Sequence, residues 1–212
     1  MSKDLSDFRK SYLKGVLNEG ELPGNPIKLF SDWFTFIDSK RIELEPNAMS
    51  LSTVNKDNTP TTRIVLLKKF SKEGFMFFTN YNSRKGQAIK NNPNVSLSFF
   101  WPSTEQQVII SGIASKLDEI DSENYFNSRP IGSQLGAIVS NQSEVIKSRD
   151  ILENKMTELK LSKTNIIRPK NWGGYNVSPF SIEFWQGRDN RLHDRILYKK
   201  ENDIWNYVRL SP

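Results

Sequence analysis

Residues Ile182–Arg195, reading I-E-F-W-Q-G-R-D-N-R-L-H-D-R, bring together the only histidine of the chain, a tryptophan, three arginines and three acids. Side chains of these types hold phosphates or orient reactive polar groups. Ser181–Trp185 alternates polar and apolar residues and reads as a strand, and Gly187, Asp189 and Asn190 supply turn chemistry. The basic cluster Arg191-Leu192-His193-Asp194-Arg195 is thus delivered just after a rigid element. If it is extended, Arg191, His193 and Arg195 share one face. Neighbouring cations disfavour an imidazolium, so His193 is expected to be neutral at pH 7 and able to bond an anionic or phenolic oxygen.

Three further stretches have the chemistry of anion sites. In Thr79-Asn80-Tyr81-Asn82-Ser83-Arg84-Lys85-Gly86 a strand ends, a polar turn follows and a helix opens on two cations. Free N–H groups and the helix dipole favour an anion there. Tyr125, Arg129 and Ser133 recur at intervals of four across the end of a short helix, with Pro130 forcing a turn. The set suits a phosphate monoester, although Arg129 capping its own helix is an equally good account. Arg63-Ile64-Val65-Leu66-Leu67-Lys68 is an apolar strand with a cation at each end. Its two cations face opposite sides of a regular strand, so one ligand meets both only at a bulge, at a strand end or along an extended molecule. Two solvated ends of a core strand is the plainer reading.

The elements that must position these groups follow from periodicity. Residues 3–17 are predicted helical, with Leu5, Phe8, Tyr12 and Leu13 near one face and Arg9 a neighbour of Tyr12. A second helix is predicted over Ile27–Ser39. Met49–Val54 and Thr61–Phe70 read as a hairpin, Gly74–Thr79 as a third strand, and Ser83–Asn91 as a helix capped by Ser83. Val95–Trp101 and Gln106–Leu117 are strands. Asp121–Ser128, capped by Asp121, Ser133–Val139 and Ser143–Leu161, the longest, are helices. Trp172–Val177, Ser181–Trp185, Arg195–Lys199 and Ile204–Arg209 complete the strands. Without βαβ alternation, this is a mainly β, antiparallel sheet or barrel with added helices. Residues 1–212 read as a single domain with a helical N-terminal segment over 1–40.

Composition narrows the function. Of 212 residues, 36% are hydrophobic and 25% charged, ordinary for a soluble globular protein. The absence of cysteine removes thiolate nucleophiles, cysteine-ligated zinc and iron–sulfur clusters; with one histidine a metal site would have to be all-oxygen, and no spaced acidic loop of the calcium type appears, so no metal is expected. No apolar run reaches membrane-spanning length and no signal-peptide core is visible, so a cytoplasmic protein with no membrane partner is expected. The net charge of +6 is spread without a dense tract, which favours an anion pocket over nucleic acid.

Taken together, these blocks resemble the pyridoxine/pyridoxamine 5′-phosphate oxidases, flavoproteins of the FMN-binding split-barrel fold. The stretch from Ile182 to Arg195 is similar to the family signature. R-I-V-L-L-K, F-F-T-N-Y-N-S-R-K, N-N-P-N-V-S-L, Y-F-N-S-R-P, S-N-Q-S, W-G-G-Y and R-L-S-P match in order, and the similarity covers about residues 5–212. The resemblance implies a homodimer with FMN in a groove between subunits. Arg63, Ile64, Val65, Leu66, Leu67, Lys68, Phe78 and Thr79 would line the flavin, and Arg84 and Lys85 would hold its phosphate. Gln107, Gln142, Ser143, Trp185 and Arg195 would complete the flavin contacts. Lys68, Tyr125, Arg129 and Ser133 would meet the substrate phosphate, while Arg191 and His193 would act at the pyridine ring. Arg9 and Tyr12 match positions that close over the substrate. Phe78 stands in place of a frequent Tyr, Ile138 in place of a common aromatic, and Glu45 where some relatives have Asp.

The implied reaction oxidises pyridoxamine or pyridoxine 5′-phosphate to pyridoxal 5′-phosphate. A hydride goes from C4′ to N5 of FMN, and O2 returns the flavin to its oxidised state with release of H2O2. The cofactor carries the redox chemistry, which suits a chain lacking the usual nucleophile–base sets. A split-barrel flavoprotein that does not act on vitamin B6 would lack the Tyr125/Arg129/Ser133 and Arg191/His193 sets. A nucleic-acid module would show a denser basic tract.

Overall fold

Nine strands and five α-helices are described in the computed structural model, which covers residues 2–162 and 165–212. The strands are β1 (Ala48–Val54), β2 (Pro60–Leu66), β3 (Lys69–Ser71), β4 (Gly74–Asn80), β5 (Asn94–Trp101), β6 (Gln106–Lys116), β7 (Trp172–Gln186), β8 (Asp194–Glu201) and β9 (Ile204–Leu210). The helices are α1 (Pro26–Ser39), α2 (Arg84–Asn91), α3 (Glu119–Ser128), α4 (Ile131–Val139) and α5 (Asp150–Leu161). The sheet order is β2-β1-β5-β6-β7-β4-β3, with β8 on β7 and β9 on β8. Period-two burial builds it: Met49, Leu51 and Thr53 on β1, and Val95, Leu97, Phe99 and Trp101 on β5, are buried while their neighbours are not. No described helix is long and apolar enough to cross a membrane.

The chain divides into two compact units. One contains the chain up to Ser50, Leu97–Ser111 and Pro179–Pro212; the other contains Leu51–Ser96 and Gly112–Ser178. In the first, Asn25 caps α1 by accepting from Ile27 N at 2.9 Å, with Pro26 opening the helix. The helix then buries Phe30 and Ile37 completely, each side chain contributing about 1.5–3 kcal/mol. Phe30 packs edge-on to Phe99 with centroids 5.1 Å apart, and Trp33 to Phe184 at 5.2 Å. Here β8 pairs antiparallel with β7 (Trp185 opposite Arg195) and with β9. In the second unit β4 pairs antiparallel with β7, Asn80 opposite Trp172, and Phe77 stacks on Tyr175 at 5.5 Å.

Several elements differ from their sequence expectation, each for a local reason. Residues 3–17 form no helix. The N–H groups of Leu13 and Lys14 bond to Glu105, and that of Leu17 bonds to Asp194, so the donors a helix would use internally are taken elsewhere. The long helix begins at Asp150 instead of Ser143, because Ser143 adopts a left-handed φ of 78°. Asp118, not Asp121, caps α3, its Oδ1 accepting from Asp121 N at 2.7 Å. The two strands expected over 172–185 are one continuous β7.

Ser83 caps α2 as expected. Its buried hydroxyl donates to Asn80 O at 2.6 Å and accepts from Gly86 N at 3.3 Å. Gly86 lies so close to the preceding turn that a Cβ would meet Tyr81 O at 2.2 Å. Because the obstacle is backbone, Gly86→Ala is expected to lower stability by about 1–3 kcal/mol. Urea unfolding checks this; an unchanged midpoint would mean that the turn can yield.

Candidate functional site

The second unit holds a cavity of about 450 Å³ into which β2, β4, α3 and α4 all project. Lys68, Lys85 and Arg129 supply three cations to its lining, Tyr125, Ser133, Thr79 and Gln142 supply polar groups, and no carboxylate lines it. The β2 strand stops at Leu66 and β3 starts at Lys69. Lys68 therefore sits in a break, its N–H bonded to Met76 O at 2.8 Å. That break, not a bulge, brings Lys68 beside Ile64, Val65 and Leu66. Arg63 and Leu67 do not line this cavity. Arg63 donates to Leu51 O at 3.0 Å, Thr53 Oγ1 at 2.8 Å and Thr61 Oγ1 at 2.7 Å, and Leu67 is buried.

The cations here are poorly compensated. Lys85 donates to Gln142 Oε1 at 3.0 Å and Thr79 Oγ1 at 3.2 Å, both neutral groups. Burial, helped by the charge of Arg63, pushes its ammonium down to about 8. Arg129 lies over the Trp172 ring at 4.5 Å, and its buried Nη1 has no hydrogen-bond partner among the described residues. Arg129 does occupy the C-cap position of α3, but through its backbone N–H, which bonds to Phe126 O at 3.2 Å. A buried guanidinium N–H without an acceptor is costly, and an anionic oxygen supplies the missing partner. Phe78 stacks on Tyr125 with centroids 3.8 Å apart and on Trp172 at 5.8 Å. Burial also raises the Tyr125 phenol above its ordinary pKa, opposed by Arg129.

At the start of α2 the two adjacent cations part company. Lys85 enters the cavity just described, whereas Arg84 lines another of about 520 Å³ with Asn82, Gln142 and Ser143. Gln142 borders both. The Ser143 hydroxyl accepts from Arg84 N at 3.2 Å, and its left-handed backbone turns it towards the helix end.

In the first unit, Arg9, Tyr12, Trp185, Arg191 and His193 line a cavity of about 480 Å³. Tyr12 packs edge-on to Trp185 at 5.6 Å and to His193 at 5.7 Å, and Trp185 lies 4.8 Å from His193. His193 Nδ1 accepts from Arg188 N at 3.1 Å. In the neutral ring the proton is therefore on Nε2, which becomes a donor. Asn190 and Arg191 have φ of 53° and 61°, so the stretch is not extended there and the shared face fails for Arg195. Arg195 instead donates to Glu183 Oε1 at 2.8 Å and to Ser211 O at 3.0 Å. Gln107 likewise stands apart from this cavity and donates to Ser98 Oγ at 3.1 Å.

Two positioning groups escaped the sequence reading. Asp194 accepts from Leu17 N at 3.1 Å, Arg188 Nη1 at 2.8 Å and Arg209 Nη1 at 2.6 Å. Burial alone would raise its pKa, but these donors hold it below the ordinary value. Arg168 is buried, donates to Trp172 O at 2.5 Å and Glu123 at 2.9 Å, and pairs with Glu119. It holds the main chain of Trp172, the residue on whose ring Arg129 rests. Only the isolated acid beside His193 hinted at the first; nothing local marked the second.

Residues 39–163 match the family described as pyridoxamine 5′-phosphate oxidase, and residues 172–212 match the pyridoxine 5′-phosphate oxidase C-terminal dimerisation region. The chain is 57% identical over 211 residues to the pyridoxine/pyridoxamine 5′-phosphate oxidase of Flavobacterium johnsoniae, covering 98% of this chain and 99% of that one. The enzyme of the same name from Leptospira biflexa is 51% identical, with 99% of each chain covered. PhzG from Burkholderia lata 383, solved in complex with tetrahydrophenazine-1-carboxylic acid, superposes with a TM-score of 0.87 at 29% identity, covering 93% of this chain and 98% of that one. A pyridoxamine 5′-phosphate oxidase-related, FMN binding protein from Nostoc punctiforme has a TM-score of 0.71 at 16% identity, covering 89% and 98%. The expected fold, an antiparallel split barrel with added helices, is the one these neighbours share.

Lys85 gives the cavity it shares with Lys68 and Arg129 a pH signature. Its pKa of about 8 in the folded protein lies below the ordinary 10.5, so between these values the unfolded chain binds more protons. Stability from this group is least below about 8 and rises with pH up to 10.5. Relative to Lys85→Met, the ligand-free protein is expected to gain stability over that window in urea unfolding. A pH-independent difference would contradict the burial argument.

Proposed function

The chain belongs to the pyridoxamine 5′-phosphate oxidase family, and from that premise we propose how its residues share the oxidation of pyridoxamine and pyridoxine 5′-phosphate to pyridoxal 5′-phosphate. The observation that carries the proposal is the cavity with Lys68, Lys85 and Arg129 and no carboxylate, in which Arg129 Nη1 lacks an acceptor. Such a site is complete only with an anion of more than one charge in it.

In this reading Lys68, Tyr125, Arg129 and Ser133 grip the substrate phosphate. The cofactor is FMN: Arg84, Ser143 and Gln142 hold its phosphate at the start of α2, where the helix N-terminus adds favourable field, and Lys85, bonded to Gln142 from the cavity on its other side, serves both phosphates. When bound, FMN supplies the acceptor for the hydride leaving C4′, with O2 as the final oxidant, reduced to H2O2. The remaining expected flavin contacts, including Arg63, Leu67, Gln107, Trp185 and Arg195, belong to the same reading. Residues 1–212 act as one functional domain.

Arg191 and His193 work on the pyridine ring. The Arg191 guanidinium orients the ring and would offset the negative charge that the cofactor gains on accepting the hydride. His193, with its proton on Nε2, donates to the ring oxygen and so fixes the ring's rotation. Arg188 keeps that tautomer in place by donating to Nδ1. The functional unit is a homodimer, supported by the match to a dimerisation region and by Ile204 and Val208, which β9 leaves exposed. The same reading sets the reaction in the cytoplasm, in keeping with described helices none of which is long and apolar enough to cross a membrane.

The reading is tested by turnover with pyridoxamine 5′-phosphate under air, following the aldehyde product. Arg191→Ala is expected to lower kcat/KM by about 10²-fold while retaining FMN, the scale set by misplacing a reacting group. Arg84→Ala should instead weaken FMN binding. Normal turnover by Arg191→Ala would remove the role assigned to that residue, and absence of product from FMN-loaded wild type would remove the reading itself.

A further inference from the structure

The segment that carries Arg9 and Tyr12 has no regular secondary structure, yet its main chain is held tightly. Glu105, whose side chain is 2% exposed, accepts at Oε2 from Leu13 N at 2.8 Å and from Lys14 N at 3.0 Å. Its Oε1 lies 3.6 Å from Lys10 Nζ. The backbone of the same residue serves the other side of the contact, because Glu105 O accepts from Gly187 N at 2.8 Å and from Gln186 Nε2 at 3.2 Å. The two surfaces so joined touch without slack. A Cβ on Gly187 would meet the Tyr12 side chain at 2.7 Å, and one on Gly15 would meet Gln186 at 2.7 Å. Glu105 itself sits in a left-handed turn, φ 59°, between β5 and β6. A carboxylate buried in such a turn and spent on main-chain donors distant in sequence has a positioning task that core packing does not require.

We propose that Glu105 is the positioning residue of an N-terminal strap: its carboxylate fixes residues 12–15 over Gly187, so that Tyr12 stands against Trp185 and His193 and closes the ring end of the substrate site. This rests on the proposed reaction for its substrate, but the strap itself can be read without turnover. Tyr12 cannot be aimed by a helix, since there is none, and the two N–H groups immediately after it are the ones Glu105 binds. Glu105 touches no substrate; it acts through Tyr12.

In the ligand-free protein, tryptic cleavage after Lys14 is expected to quicken about tenfold in Glu105→Ala, the scale of losing charge-assisted hydrogen bonds. In turnover, Glu105→Ala and Tyr12→Ala are each expected to raise KM for pyridoxamine 5′-phosphate about tenfold with little change in kcat. The double variant should be no worse than the more impaired single one, because both remove the same closure. Glu105→Gln, whose amide oxygen can still accept both N–H groups, should restore most of the wild-type KM. Gly15→Ala keeps Glu105 but forces a methyl against buried Gln186, and should reproduce the high KM even if Glu105→Ala does not fold. Additive losses in the double variant would overturn the proposal, as would unchanged cleavage in folded Glu105→Ala or a wild-type KM in Gly15→Ala. Failure of wild type to turn over would count against the reaction and leave the cleavage result to decide the strap.

Discussion

Lys68, Lys85 and Arg129 share a cavity that contains no negative side chain, and much of the surrounding structure follows from that choice. Bringing a cation out of water costs several kcal/mol unless a counter-charge accompanies it. Lys85 responds by losing proton affinity, and Arg129 rests on the Trp172 ring with one nitrogen unsatisfied. Neither arrangement helps the folded chain on its own. In the proposed reading both become favourable when a phosphate enters, so the imbalance would store part of the binding free energy before any ligand arrives. The break between β2 and β3, the Ser83 cap and the Arg168 anchor beneath Trp172 hold the cations in place against their mutual repulsion.

The chemistry in the first unit is of another kind. Arg191 and His193 stand among aromatic rings, and what matters there is direction more than charge. The Arg188 N–H settles which imidazole nitrogen carries the proton. Asp194 ties Arg188, Arg209 and Leu17 to one carboxylate, so the loop bearing His193 and the end of the strap share an anchor. Such shared anchors limit the rotational freedom of groups that must meet a substrate ring at a set angle.

Features set by neighbours in sequence were readable from it. The Ser83 cap, the α1 helix and the strand alternation depend on residues within a few positions, and each formed as expected. The Tyr125, Arg129 and Ser133 set is compact in sequence, and all three line one cavity. What failed was decided at a distance. Leu5, Phe8, Tyr12 and Leu13 have helical spacing, but the helix lost its donors to Glu105 and Asp194, roughly a hundred residues or more away. Arg195 lost its place beside His193 because Asn190 and Arg191 turn left-handed and Glu183 claims its guanidinium. Side-chain periodicity says nothing about where main-chain donors go, and that is where the sequence reading stopped.

The central claim is that the uncompensated cations exist to hold a phosphate while a second set aligns the ring for oxidation. It is tested most directly by titrating the FMN-loaded protein with pyridoxamine 5′-phosphate in the absence of O2, and with pyridoxamine lacking the phosphate. The account predicts that the phosphorylated amine bleaches the visible flavin band and that the unphosphorylated one, at equal concentration, leaves it largely intact. Equal bleaching by both amines would contradict the role given to Lys68, Lys85 and Arg129, and no bleaching by either would contradict the reaction.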